Sequence, residues 1–187
     1  MDFEGTAESI EQYGAQALPG LLQTKAYARA LLRCQEELSE EQVEERVTAR
    51  MARQERQRSD SPPLRWAIID ESVIHRQVGG PACMYEQLAS LLTEADTPDS
   101  KVQVMPFSAG PHSLLGSALT LLTLPNGSTM AYEEGIQAGH LYEDPDAAKK
   151  WRRQYEVLRA NALTLPESVK LIRKAMEDHQ PCDTPPS

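Results

Sequence analysis

The chain has 187 residues and a formal net charge of −9, from 28 acidic against 19 basic side chains. A hydrophobic share of 40% beside 25% charged residues suits a globular protein with a core, and excludes a disordered or fibrous chain. The acidic balance speaks against a nucleic-acid reader, and no apolar stretch nears the ~18 residues of a membrane helix.

Residues 4–16 read as a first helix, with Ile10 and Tyr13 on one face. Pro19-Gly20 breaks that pattern, and Thr24 can cap a second helix over about 25–34. Ser39-Glu40-Glu41-Gln42 is a capping box that opens a third helix at Glu40, running to about Gln57 with Val43, Val47 and Met51 as its apolar stripe. Ser59-Asp60-Ser61-Pro62-Pro63 stops it. Leu64 to Asp70 reads as a buried strand, and Glu71 to Arg76 as a short helix. Pro81 suits the first turn of another helix, whose buried face carries Met84, Leu88, Leu91 and Leu92. Lys101 to Phe107 is a second strand, completing a β-α-β unit with parallel strands. Ser117 to Leu124 and Thr129 to Glu133 flank Pro125-Asn126-Gly127-Ser128, a hairpin signal. Asp144-Pro145 opens a long helix, and the Thr164 to Glu167 capping box opens a last one to about Asp178.

The expected fold is α+β: a small mixed four-stranded sheet with a β-α-β unit and a hairpin, packed by helices. It forms a single domain over 1–179, with a helical part at 1–58, a sheet part at 64–134 and C-terminal helices at 144–179. Residues 180–187 are expected to be a disordered tail. Cys34, Cys83 and Cys182 are odd in number and scattered, so isolated thiols are expected, with no disulfide or zinc site.

The string Pro19-Gly20-Leu21-Leu22-Gln23-Thr24 with Tyr27-Ala28-Arg29-Ala30, then Arg46, Arg50, Arg53 and Gln54, resembles the C-terminal domain of actinomycete antitoxin-like helix-turn-helix regulators. Ile69-Asp70-Glu71-Ser72, Val78-Gly79-Gly80-Pro81, Gln87-Leu88, Val104 to Gly110 and Tyr132 to Glu134 follow in that family's order, so the likeness spans about Glu4 to Ile172. It implies a regulatory binding domain, often with a small partner protein encoded nearby. Members carry a DNA-binding domain ahead of this region. Here Met1 sits directly before it, so no direct nucleic-acid binding is expected of this chain.

Two candidate sites emerge. Arg46, Arg50 and Arg53 fall within an arc of roughly 60° on one helix, with no Asp or Glu three or four residues away. Such a face can grip carboxylates or phosphates, or can simply be a solvated basic surface. Arg29 on the preceding helix is a further candidate for it. The second site follows from topology: loops after parallel strands leave one sheet edge, where ligands tend to bind. That edge would gather Asp70, Glu71, His75, Ser108 to His112, Glu133, Glu134 and His140. As a ligand or partner surface it uses Glu71, His75, His112, Glu133 and Glu134; as an enzyme, Glu71, His75, His112 and Glu134 would do acid–base work. Each also has a plain reading as a cap, a loop histidine or a strand end.

No metal motif and no cofactor fingerprint is present, so neither is expected. The expected function is a cytoplasmic sensor or interaction domain that binds a small-molecule ligand or a small partner protein, with no membrane contact and with room for a homodimer. The alternative is a small metabolic enzyme derived from such a domain.

Overall fold

The computed structural model describes residues 4–57, 62–134 and 139–180. Its centre is one six-stranded mixed sheet, with strands β1 (Ser9–Gly14), β2 (Leu64–Asp70), β3 (Ser100–Met105), β4 (Ala118–Thr123), β5 (Thr129–Glu134) and β6 (Gly139–Tyr142). The order across it is β3-β2-β1-β4-β5-β6. β1, β2 and β3 are mutually parallel, while β4, β5 and β6 each run antiparallel to the strand before them in the sheet. The α+β class and the parallel β2/β3 pair stand as expected, but the sheet has six strands where four were expected.

The largest departure is at the front. The helix expected over residues 4–16 is replaced by a 3-10 turn, Glu4–Thr6, and by β1. Ile10 and Tyr13 are three residues apart, which suits one face of a helix; in a strand that odd spacing sends them to opposite faces. Ile10 packs with Leu21 and Leu122, and Tyr13 with Ile68, Leu119 and Tyr155. β1 is central and covered on both sides, so it lacks the alternation that marks a half-buried strand. Its polar residues are matched across the fold. Glu11 pairs with Arg152 at 2.7 Å, and Gln12 donates to Thr120 Oγ1 at 3.2 Å. The other unexpected strand, β6, is short and mostly exposed, with no apolar pattern of its own.

Six helices surround the sheet: α1 (Lys25–Arg33), α2 (Glu40–Arg56), α3 (Glu71–His75), α4 (Pro81–Glu94), α5 (Pro145–Asn161) and α6 (Leu165–Asp178). Thr24 caps α1, Ser39 and Gln42 form the capping box of α2, and Thr164 and Glu167 that of α6. One face of the sheet carries Ala67, Ile69, Val102 and Val104, packed with Met84, Leu88 and Leu91 of α4 and Ile172 and Ala175 of α6. The opposite face carries Tyr13, Ile68, Leu119, Leu121 and Ala131 against Tyr155 and Leu158 of α5. α2 rests on α1 through Ala28, Leu32, Val43 and Val47. The outer edge of β3 is closed by the turn between α5 and α6, where Ser168 Oγ accepts from Val104 N at 3.0 Å and Leu163 N donates to Val104 O at 2.9 Å. A covered edge cannot recruit a stray strand.

Cys34 and Cys83 are free thiols. Cys182, the expected tail from 181 onward, and Ser59 to Ser61 of the expected helix break lie outside the described residues. Among the described residues no helix is long and apolar enough to cross a membrane.

Candidate functional site

β1 and β4 are neighbours in the sheet but distant in sequence, and the chain order reverses between them. The connections leaving β1 and entering β4 therefore part at this end of the sheet, which is where open α/β sheets form ligand crevices. A cleft of about 340 Å³ lies there, lined by Tyr13, Ala15, Gln16, Asp70, Ser72, Arg76, Leu115 and Gly116.

Asp70 ends β2 and caps α3. Its Oδ1 accepts from Ser72 N at 2.9 Å and from Ser72 Oγ at 2.5 Å, which fixes the carboxylate at the cleft. Glu71 turns the other way. Its carboxylate accepts from Phe107 N at 2.7 Å and lies 3.6 Å from His75 Nε2, while the His75 ring stacks on Phe107 with centroids 6.3 Å apart. Glu71 and His75 thus tie α3 to the start of the β3–β4 connection.

His112 approaches from that same connection. Its Nδ1 accepts from Leu114 N at 3.3 Å, which assigns the proton of the neutral ring to Nε2. Nε2–H then donates to Tyr13 Oη, 3.1 Å away, and the rings meet edge to face at 5.3 Å. Burial pulls the His112 pKa down, against the attraction of Asp70, so the neutral ring is the favoured form near neutrality. Burial, reinforced by Asp70, pushes the Tyr13 hydroxyl pKa up and keeps it protonated. With its oxygen accepting from His112, that hydroxyl still has its own proton to give. The cleft therefore offers a neutral donor at Tyr13, an acceptor at Asp70 and a guanidinium at Arg76.

The expected edge cluster is only partly gathered. β5 does return parallel to β1, and Glu134 pairs with Ala118 at the same end of the sheet. Strand alternation nonetheless puts Glu133 on the face of Ala131 and Glu134 on the opposite one, and His140 stands across from Glu133 on β6. Glu134 acts electrostatically on Arg50, which joins it to the other candidate site.

On α2, Arg46 reaches Gln35 Oε1 at 3.3 Å and Arg50 reaches Gln23 Oε1 at 2.5 Å, while Arg53 lies over Gly20. Arg29 does not join them, because its guanidinium is paired with Glu44. The three arginines share a helix face as expected, but they address three different partners.

Tyr13, Ser72 and Arg76 were missed as site residues. Tyr13 was hidden by reading its segment as a helix; Ser72 and Arg76 carry no motif. Gln87 had a readable signal, a lone polar residue inside the apolar stripe of Met84, Leu88 and Leu91. It is fully buried, and its amide accepts from Thr24 N at 2.7 Å and donates to Leu22 O at 2.8 Å. Among the described residues no group of three His, Cys, Asp or Glu side chains could hold a metal ion.

Among known proteins, no curated sequence and no solved structure matches the chain. A protein-family profile does match, over residues 1–174, and that family is described as a domain of unknown function, DUF5753. With that much of its 187 residues covered, the chain belongs to the DUF5753 family.

Proposed function

We propose that this chain is the sensor domain of a regulator-like protein, and that it binds a small polar ligand in the cleft between β1, β2 and β4. The observation that carries the reading is the cleft itself: about 340 Å³ lined by Tyr13, Asp70, Ser72 and Arg76. That volume lies within the range of small-molecule sites, and its few fixed polar groups would orient a ligand. Binding would be read out through a partner protein, in keeping with the resemblance to antitoxin-like regulators of actinomycetes, and without contact to DNA by this chain.

The sensor reading is favoured over an enzyme by how the acid–base candidates are used. Glu71 is committed to Phe107 N and His75, and Glu134 lies on the face opposite Glu133. His112 spends its Nε2–H on Tyr13 Oη and its Nδ1 on Leu114 N, and the raised pKa of that hydroxyl keeps it protonated and a poor acid.

The test is ligand-observed NMR of a library of small polar metabolites against the full chain, followed by Asp70→Asn and Arg76→Gln. Hits should bind the parent protein unchanged in structure and weaken about tenfold or more in either variant. Binding indifferent to both substitutions would place the ligand elsewhere, and turnover of a bound compound that needs His112 would favour the enzyme.

A further inference from the structure

We propose that the Arg50–Arg53 side of α2 is a second binding site, separate from the cleft, whose ligand is an oxyanion: a phosphate or a carboxylate group.

Arg50 and Arg53 lie three residues apart on α2, so their side chains leave the same side of the helix. The Pro19–Gly20 turn is packed directly against them. Arg53 Nη2 lies 2.8 Å, and Arg50 Nε 3.8 Å, from the point that a Cβ on Gly20 would occupy. A Cβ there would make ordinary contact with Arg50 and would push the end of the Arg53 side chain aside. Gln54, next to Arg53, holds the turn in place by donating to Gly20 O at 2.7 Å and Gln23 O at 2.8 Å.

Arg50 is the informative member. It is half-buried, and its Nη1 donates to the neutral Oε1 of Gln23. A guanidinium has five N–H donors in a fork shaped for an oxyanion, and that bond uses one of them. Among the described residues Arg50 forms no ion pair. The contrast with other arginines is plain: Arg29, Arg33, Arg65 and Arg152 each contact a glutamate. A chain with nine more acidic than basic groups has no shortage of carboxylates for Arg50. It instead sets this side chain beside another arginine and a neutral amide, with Glu134 acting only at longer range. Partly withdrawn from water and next to a like charge, Arg50 is a group that an incoming anion would complete.

The site is also connected. Gly20 and Gln23 belong to the segment that leaves β1 at Tyr13, Ala15 and Gln16, so an anion on Arg50 would brace one wall of the cleft from behind.

The experiment uses the full chain with inorganic phosphate as the first probe and acetate as the second, at constant ionic strength. Binding is read by calorimetry and by the Nε–H resonance of Arg50. A saturable response in the parent protein is expected, weakened about tenfold or more in Arg50→Gln and partly kept in Arg50→Lys, which retains charge without the fork. Glu134→Gln, which removes a carboxylate that acts on Arg50, should tighten it. Response to phosphate alone assigns a phosphate ligand, and response to acetate alone a carboxylate. The proposal is overturned if neither anion gives a saturable response in the parent or in Glu134→Gln, or if folded Arg50→Gln binds as tightly as the parent. Arg76→Gln must leave the affinity unchanged, which keeps this result distinct from the cleft.

Discussion

Beside the α3 segment, which supplies Asp70, Ser72 and Arg76, the cleft has two further walls, built in opposite ways. Residues 15–24, from β1 to α1, form a buried connection with little regular structure, and side-chain amides stand in for the water that a surface loop would use. Gln23 Nε2 donates to Leu18 O at 2.7 Å, Leu18 N donates to Tyr27 Oη at 3.3 Å, Gln54 holds Gly20 O and Gln23 O, and Gln87 holds Leu22 O and Thr24 N. Residues 106–117, from β3 to β4, are mostly exposed. Phe107 and Leu115 are 61% and 67% accessible, and only Leu114 reaches the core. A buried loop must satisfy its backbone from within the protein, and doing so fixes it; a solvated loop has no such constraint. Tyr13 itself is held by the sheet and by His112, while the exposed residues of the second wall, Leu115 among them, are less constrained by packing.

The sharpest way to break that contrast is Gln87→Leu. The substitution keeps much of the side chain's bulk but strands two backbone groups, the buried Leu22 O and the partly buried Thr24 N. Each lost bond leaves a desolvated polar group, so the expected destabilisation is about 2–4 kcal/mol, measured by urea unfolding. Amide exchange at Thr24 should accelerate with it. A loss below about 1 kcal/mol would mean that the first wall is held by packing alone, and the two walls would then differ less than their hydrogen bonds suggest.

Local signals made most of this architecture legible, and long-range pairing hid the rest. Thr24, Ser39 with Gln42, and Thr164 with Glu167 announce three helices because a cap is a contact within four residues. The hairpin around Asn126-Gly127 is equally local, with Asn126 Oδ1 accepting from Ser128 N at 2.9 Å. β1 is not local. Its identity as a strand depends on Leu64 to Ile69 on one side and Leu119 to Thr123 on the other, more than forty residues away. The site divides along the same line. His112 and Asp70 were readable from the loops after parallel strands, whereas Tyr13 belonged to the misread strand. Glu134 was expected at this edge and is there, but alternation along β5 separates it from Glu133; parity, not position, decides which face a side chain serves.

A smaller effect probes the contact between the walls, the Tyr13–His112 pair. Burial lowers the His112 pKa from the ordinary 6.5, so the unfolded chain takes up a proton at a higher pH than the folded protein does. The stability this group contributes is therefore full above about pH 6.5, and it falls as pH drops from there through the folded pKa. Protonation also ends acceptance by Nδ1 of the Leu114 N–H, loosening the second wall where it meets the first. Urea midpoints of the parent and His112→Gln should converge as pH is lowered from about 7.5 to about 5.5. A gap that stays constant over that range would show that the ring's charge state has no part in joining the walls.

The smallest effect on stability should come from the second wall itself. Leu115 lines the cleft yet is 67% exposed, so folding draws little on it and Leu115→Ser should stay within about 0.5 kcal/mol of the parent. If this wall closes on a ligand, the same substitution should weaken binding of any cleft ligand several-fold, because an apolar contact made only in the bound state is lost. Stability and affinity would then respond independently. Gln87 is the reverse case: it does not line the cleft, and its two hydrogen bonds hold the buried connection, so its loss acts first on stability. Equal, negligible effects of Leu115→Ser on folding and on binding would mean that the ligand rests on the rigid wall alone, and that the second wall is only a rim.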